Sequence, residues 1–150
     1  MKTTLLPLCL FTLACTPMTS TGSNGNAPVP SLSSGAFLTQ DVSLLDLSGA
    51  ETLDEAAAAV QQRFSSNEPV EGGYSETLNA YQADSRGTVV LTQDGLPDDS
   101  VSSVQYVVEF DLRPDTQVEG RVLAVATGYG TRQKCARAAD PLAWTNAPCP

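Results

Sequence analysis

The sequence predicts a small α+β domain in which one amphipathic helix covers an antiparallel sheet of at least three strands. Three observations predict it. The stretch from Arg86 to Gly130 reads as three strands joined by two turns. A capping box at Thr52–Glu55 opens a stripe of apolar residues. Two late cysteines, Cys135 and Cys149, suit a C-terminal disulfide loop.

Residues 1–14 read as a signal peptide. Lys2 precedes an apolar run from Leu5 to Leu13, interrupted by Pro7 and too short to span a bilayer as a helix. The run ends Thr12-Leu13-Ala14-Cys15, which resembles a bacterial lipoprotein signal in the small residue before the cysteine and the leucine before that. Thr12 departs from it, because such signals usually carry leucine there. The resemblance implies that Cys15 is acylated and anchors the chain. Thr16 resembles the pattern sorted to the outer membrane, on its periplasmic or surface side. The alternative is a plain secretory signal that leaves a soluble periplasmic or secreted protein.

Residues 15–36 form a lipidated, flexible tether in this reading. Pro17 to Gly35 is rich in Ser, Thr, Gly, Asn and Pro and carries no charge. Such a tract buries too little apolar surface to offset the entropy of ordering. Residues 37–150 then form a single small domain. Leu38 to Leu47 reads as a strand or an extended packing segment.

Thr52-Leu53-Asp54-Glu55 is a capping box, and its acids favour the positive helix end. The helix is expected over Leu53–Ser65, with Leu53, Ala56, Val60 and Phe64 recurring at helical spacing beside Ala57. Asn67 to Gly73 breaks it. Ser75 to Ala83 is expected as a second short helix with Tyr74, Leu78 and Tyr81 on one side, an irregular strand being the alternative.

The first strand is the β-branched run Thr88–Thr92, closed by turn formers from Asp94 to Ser100. The second alternates. Val104, Tyr106, Val108, Phe110 and Leu112 fall on one face, with Gln105, Glu109 and Asp111 on the other. Val107 breaks the pattern as a lone apolar residue on the wet side. Pro114-Asp115 turns the chain into the third strand, Arg121–Thr127, which has apolar residues on both faces and so suits a covered position. Gly128-Tyr129-Gly130 is expected to end it. Short links favour an antiparallel meander.

Cys9 lies in the signal and Cys15 is the expected lipid site, which leaves Cys135 and Cys149 as the natural pair in an exported protein. Two cysteines without histidine, and without a Cys-x-x-Cys spacing, make no standard zinc set. Trp144 lies inside the loop they close. Its ring either packs on the disulfide or the core, or serves as an exposed aromatic anchor.

Gly95-Leu96-Pro97-Asp98-Asp99-Ser100-Val101, Cys135, Trp144 and Pro148-Cys149 resemble a group of uncharacterised exported bacterial proteins. In that group a similar turn joins two strands, and a final strand leads to a cysteine, a tryptophan and a closing Pro-Cys. The resemblance covers less than half the chain and implies no activity. Ala138-Ala139-Asp140-Pro141 stands here where the group has a Gly-Arg-Gly-His-like segment.

The chain has no histidine, which removes His-based acid–base chemistry, a Ser-His-Asp triad and histidine metal ligation. No Gly-x-Ser-x-Gly elbow is present, and no motif calls for a cofactor. Glu109 and Asp111 share a strand face and form the one conceivable carboxylate pair. Asp94, Asp98 and Asp99 cluster in a turn without the spacing of an EF-hand. Loss of Lys2 with the signal leaves seven basic against seventeen acidic residues, net −10. That charge opposes binding to nucleic acid or anionic head groups.

The expected function is therefore non-catalytic: a lipid-anchored envelope protein with a binding or accessory role, with Tyr129, Arg132, Lys134, Arg137 and Trp144 as candidate contacts for a protein partner. A carboxylate-based periplasmic hydrolase and an inhibitor or immunity-like protein acting on a basic partner are the alternatives.

Overall fold

Four long strands follow one another as an antiparallel meander, and the chain on either side of them closes one edge. The computed structural model describes residues 28–65 and 73–150. In chain order the elements are β1 (Leu38–Gln40), α1 (Leu53–Phe64), β2 (Ser75–Ala83), β3 (Arg86–Asp94), β4 (Val101–Pro114), β5 (Val122–Cys135) and β6 (Trp144–Thr145). Short 3-10 turns occupy Leu32–Ser34 and Val42–Leu45. The signal, Cys15 and most of the tether lie outside the described residues.

The strands make one six-stranded sheet in the order β1-β5-β4-β3-β2, with β6 also paired to β5. Every pair is antiparallel. One helix on an antiparallel sheet with a C-terminal disulfide is the α+β architecture expected.

α1 begins with the predicted box. Glu55 Oε2 accepts from the Thr52 backbone N–H at 2.7 Å, and Thr52 Oγ1 accepts from the Glu55 N–H. Its stripe of Ala56, Ala57 and Val60 is buried, and Leu53 and Phe64 extend the contact at either end. The small alanines let the helix approach Val89, Leu91, Val108, Phe110 and Ala124 closely. At its C-terminus, where backbone carbonyls lack helical partners, Gln93 Nε2 donates to the Phe64 carbonyl at 2.9 Å.

Ser75–Ala83 is a strand, not a helix. It pairs residue for residue with β3, from Ser75↔Asp94 to Ala83↔Arg86, through a turn of Asp84 and Ser85. Asp84 takes a left-handed φ of 51°, which aspartate tolerates. Glu76 and Leu78 are the shielded positions, two residues apart, and that period of two outweighed the helical spacing of Tyr74, Leu78 and Tyr81.

Val107 is also not on a wet face; it is fully buried. Phe37, Val90 and Val107 form a second core on the face opposite α1, with Leu32 packed against it. The sheet centre is thus covered on both sides, which explains the consecutive apolar residues Val89-Val90-Leu91 and Val107-Val108. The cover is the chain just before β1. Ser31 Oγ and the Leu32 N–H both donate to Glu109 Oε1 at 2.9 Å, so part of the tract read as tether is fastened to the sheet.

β5 continues eight residues past its expected end, to Cys135. Gly128 and Gly130 do not stop it. A β-carbon at Gly128 would sit 2.7 Å from Leu32, and one at Gly130 would sit 2.6 Å from Leu32 and 3.1 Å from Phe37. These glycines make room for the covering segment.

Candidate functional site at the disulfide-strapped edge

The free side of β5 is closed in two pieces. β1 pairs with Tyr129–Thr131, and β6 pairs with Gln133 and Lys134. β6 belongs to the tail, and the tail is held by the Cys135–Cys149 disulfide, whose Cα atoms are 5.3 Å apart. Gln133 Nε2 donates to the Ala147 carbonyl, and Asn146 Nδ2 donates to the Gly35 carbonyl. The strap therefore touches both β5 and the covering segment.

A β-bulge lies between Glu109 and Phe110, opposite Gly128 and Ala126, so Thr127 is the extra residue. Before it, Ala124 and Ala126 face α1; after it, Tyr129 does. Arg132 consequently falls on the covered face with Phe37, although continuous alternation from Ala124 would turn it toward the helix.

Arg132 is the centre of the site. Its guanidinium lies over the Phe37 ring at 4.5 Å and over the Trp144 ring at 4.9 Å. Its Nε donates to Gln105 Oε1 at 2.9 Å, and Gln105 Nε2 donates to Thr92 Oγ1 at 2.8 Å. Burial lowers the guanidinium pKa from its ordinary value. Among the described residues no carboxylate pairs with it.

Lys134 Nζ lies over the same Trp144 ring at 4.6 Å and 3.8 Å from Asp94. Two cations thus lie against one indole ring, an arrangement favoured by the ring quadrupole. Trp144 belongs to neither buried core and is half-buried against these cations.

The other two expected contacts lie elsewhere. Arg137 is on the surface, paired with Asp99 of the β3–β4 loop. Tyr129 is buried on the α1 side, stacked on Phe64 at 5.7 Å. Burial, with Tyr106 nearby, pushes its hydroxyl up to about 12. Arg132, Lys134 and Trp144 are brought together; Tyr129 and Arg137 are not.

Across the sheet from the stack, on the α1 side, a groove of about 400 Å3 opens between β1 and the strap. Leu38, Val104, Tyr106, Thr131, Arg132 and Pro148 line it. Its size falls in the range of ligand clefts, and its walls are mostly apolar. Arg132 borders it at the gap between β1 and β6, with its guanidinium on the opposite face of the sheet. Sequence reading missed Leu38 and Val104 as site residues. The exposure of Leu38 depends on how β1 meets the strap, which no local period reports.

The acidic residues are engaged otherwise. Glu109 holds the covering turn, and Asp111 pairs with Arg113 at 3.4 Å. Asp98 accepts from the Ser100 and Val101 N–H groups, which hold its carboxyl below the usual range. Asp94 and Asp99 pair with Lys134 and Arg137. Among the described residues no group of three or more such side chains is placed to hold a metal ion, and no helix is long and apolar enough to cross a membrane.

No protein-family model matches this chain, and comparison with the curated proteins and with the solved structures finds no similar one.

Proposed function

We propose that this chain is an exported envelope protein with a non-catalytic binding role, held to the outer membrane through a lipid on Cys15. Its partner is a protein segment that crosses the sheet edge between β1 and β6, offering an apolar side chain to the groove on one face and a carboxylate or other anion to Arg132 on the other. One observation carries the binding reading: Arg132 is positioned by Phe37, Trp144 and Gln105 on the face opposite α1 and is unpaired with any carboxylate among the described residues, at the gap between β1 and β6 whose α1 side opens onto an apolar groove. A guanidinium held in place loses little further freedom when it forks onto a carboxylate. The disulfide supports export, since such bonds persist in oxidising compartments. The engagement of Glu109 by Ser31 and Leu32 favours binding over carboxylate catalysis.

A photo-crosslinking side chain at Leu38, exposed beside the groove, tests the reading in intact cells. One discrete adduct is expected, lost in Arg132→Gln and absent when the crosslinker is moved to the exposed Val118. An adduct that survives Arg132→Gln, or none at all at Leu38, sinks the binding reading. An intact mass from the membrane fraction tests the anchor separately. A mass starting at Cys15 with acyl additions is expected, and an unmodified chain would remove the lipid while leaving the groove in play.

A further inference from the structure

The two edges of the sheet are built differently. One is cut into the three residues of β1 and the two of β6, then capped by a tail containing Pro148 and Pro150. Short strands and proline are the usual devices that keep an edge from pairing. The other edge is β2, nine residues paired along their whole length to β3 with no register shift. Among the described residues nothing pairs with its outer side. It contains no proline, lysine or arginine. Seven of its nine residues are exposed.

The lone charge on β2 does not guard it. Glu76 is drawn to its own molecule, accepting from Ser65, Tyr74, Gln61 and Gln93. In a chain of net charge −9, the outer line of β2 is therefore close to neutral.

We propose that β2 pairs with β2 of a second copy, antiparallel about a two-fold axis at Asn79, so that one sheet runs continuously through a dimer. In that register Thr77 lies opposite Tyr81, Leu78 opposite Ala80, and Glu76 opposite Gln82. Like charges never meet, and the Thr77–Tyr81 pairs join a β-branched to an aromatic side chain on one face. A strongly basic or acidic peptide would find no matching charge on this strand, whereas an identical strand matches it at every position. The pairing is self-limiting, because a two-fold contact uses the same edge of both copies and the opposite edges are blunted.

Cysteine crosslinking in the exported full chain reads the register directly. Residues directly opposite across an antiparallel pair have Cα atoms about 4.5–5.5 Å apart, within disulfide reach. Asn79→Cys should therefore form an interchain disulfide under mild oxidation. Thr77→Cys should not, since its two copies are displaced by roughly 13 Å along the strand. The native mass of the wild type should be twice that of one chain. It should fall to one chain in Thr77→Lys/Tyr81→Lys, which sets lysines opposite each other. A monomeric wild type overturns the proposal, as does a dimer that survives the double lysine change. Crosslinking at Thr77 in place of Asn79 overturns the register, and a different protein captured on Asn79→Cys overturns the occupant.

Discussion

Glu76 shows how one carboxylate joins three elements. Burial works against its charge, but hydrogen bonds from Ser65, Tyr74, Gln93 and Gln61 prevail and hold its pKa below the ordinary 4.5. A lowered folded pKa means that this stabilisation is complete above about pH 4.5, declines as the pH falls through that value, and is gone below the folded pKa. Glu76→Gln, which faces the same donors without charge, should cost about 1 kcal/mol at neutral pH, since solvent screens a partly exposed carboxylate, and flatten the acid limb of a chemical-denaturation series. Tyr129 sets the opposite limit. Its pKa is raised from 10.0 to about 12, so its contribution is complete below pH 10.0 and is lost as the pH climbs toward 12. Tyr129→Phe should therefore lose less stability than wild type over that interval, measured by far-UV circular dichroism against pH, with the raised Tyr106 accounting for what remains. None of this was legible in the sequence. Tyr129 beside two glycines read as a strand end, and only the bulge turns it into the core.

At the scale of elements, what was legible had local causes. The helix was readable from Thr52 and Glu55 because a capping box is a short-range arrangement, and β4 was readable because its alternation runs unbroken from Val104 to Leu112 on the helix side. Where neighbours decide the outcome, the local signal failed. Leu78 and Tyr81 fit a helical face, yet β3 offered nine pairing partners across a two-residue turn. Val107 looked solvated because its cover, Leu32 and Phe37, comes from far away in the chain. Its burial makes a firm expectation. Val107→Ala should destabilise the domain by about 2 kcal/mol in urea unfolding, where a wet-face valine would cost almost nothing.

For the molecule as a whole, the strap is the one part whose loss is reversible by chemistry alone. Cys135 and Cys149 close a loop over a sequence separation of 14. Reduction should lower stability by about 3 kcal/mol, read as a fall in Tm that reoxidation restores. Because the strap carries Trp144 and Pro148, reduction should also abolish the Leu38 crosslink while the α1 face stays folded. The disulfide and the cysteine arithmetic were legible together. The candidate site was legible in part, because Arg132, Lys134 and Trp144 belong to one C-terminal segment, whereas Phe37 reaches them only through the long-range pairing of β1 with β5.

The extra residue at Thr127 also governs which changes of chain length β5 can accept. Along a strand, odd and even positions alternate between two sides, and an insertion or deletion exchanges them for everything that follows. Thr127 has already made one such exchange, and β4 opposes Gly128 and Ala126 with consecutive residues. Deleting Thr127 would thus leave an unbroken ladder with Tyr129 still toward α1 and Arg132 still toward Phe37. Deleting Leu123 or Thr131 would transpose the two sides instead, sending a tyrosine or a guanidinium into the wrong half of the protein. Soluble expression of the three deletions should separate them, with the loss of Thr127 alone tolerated.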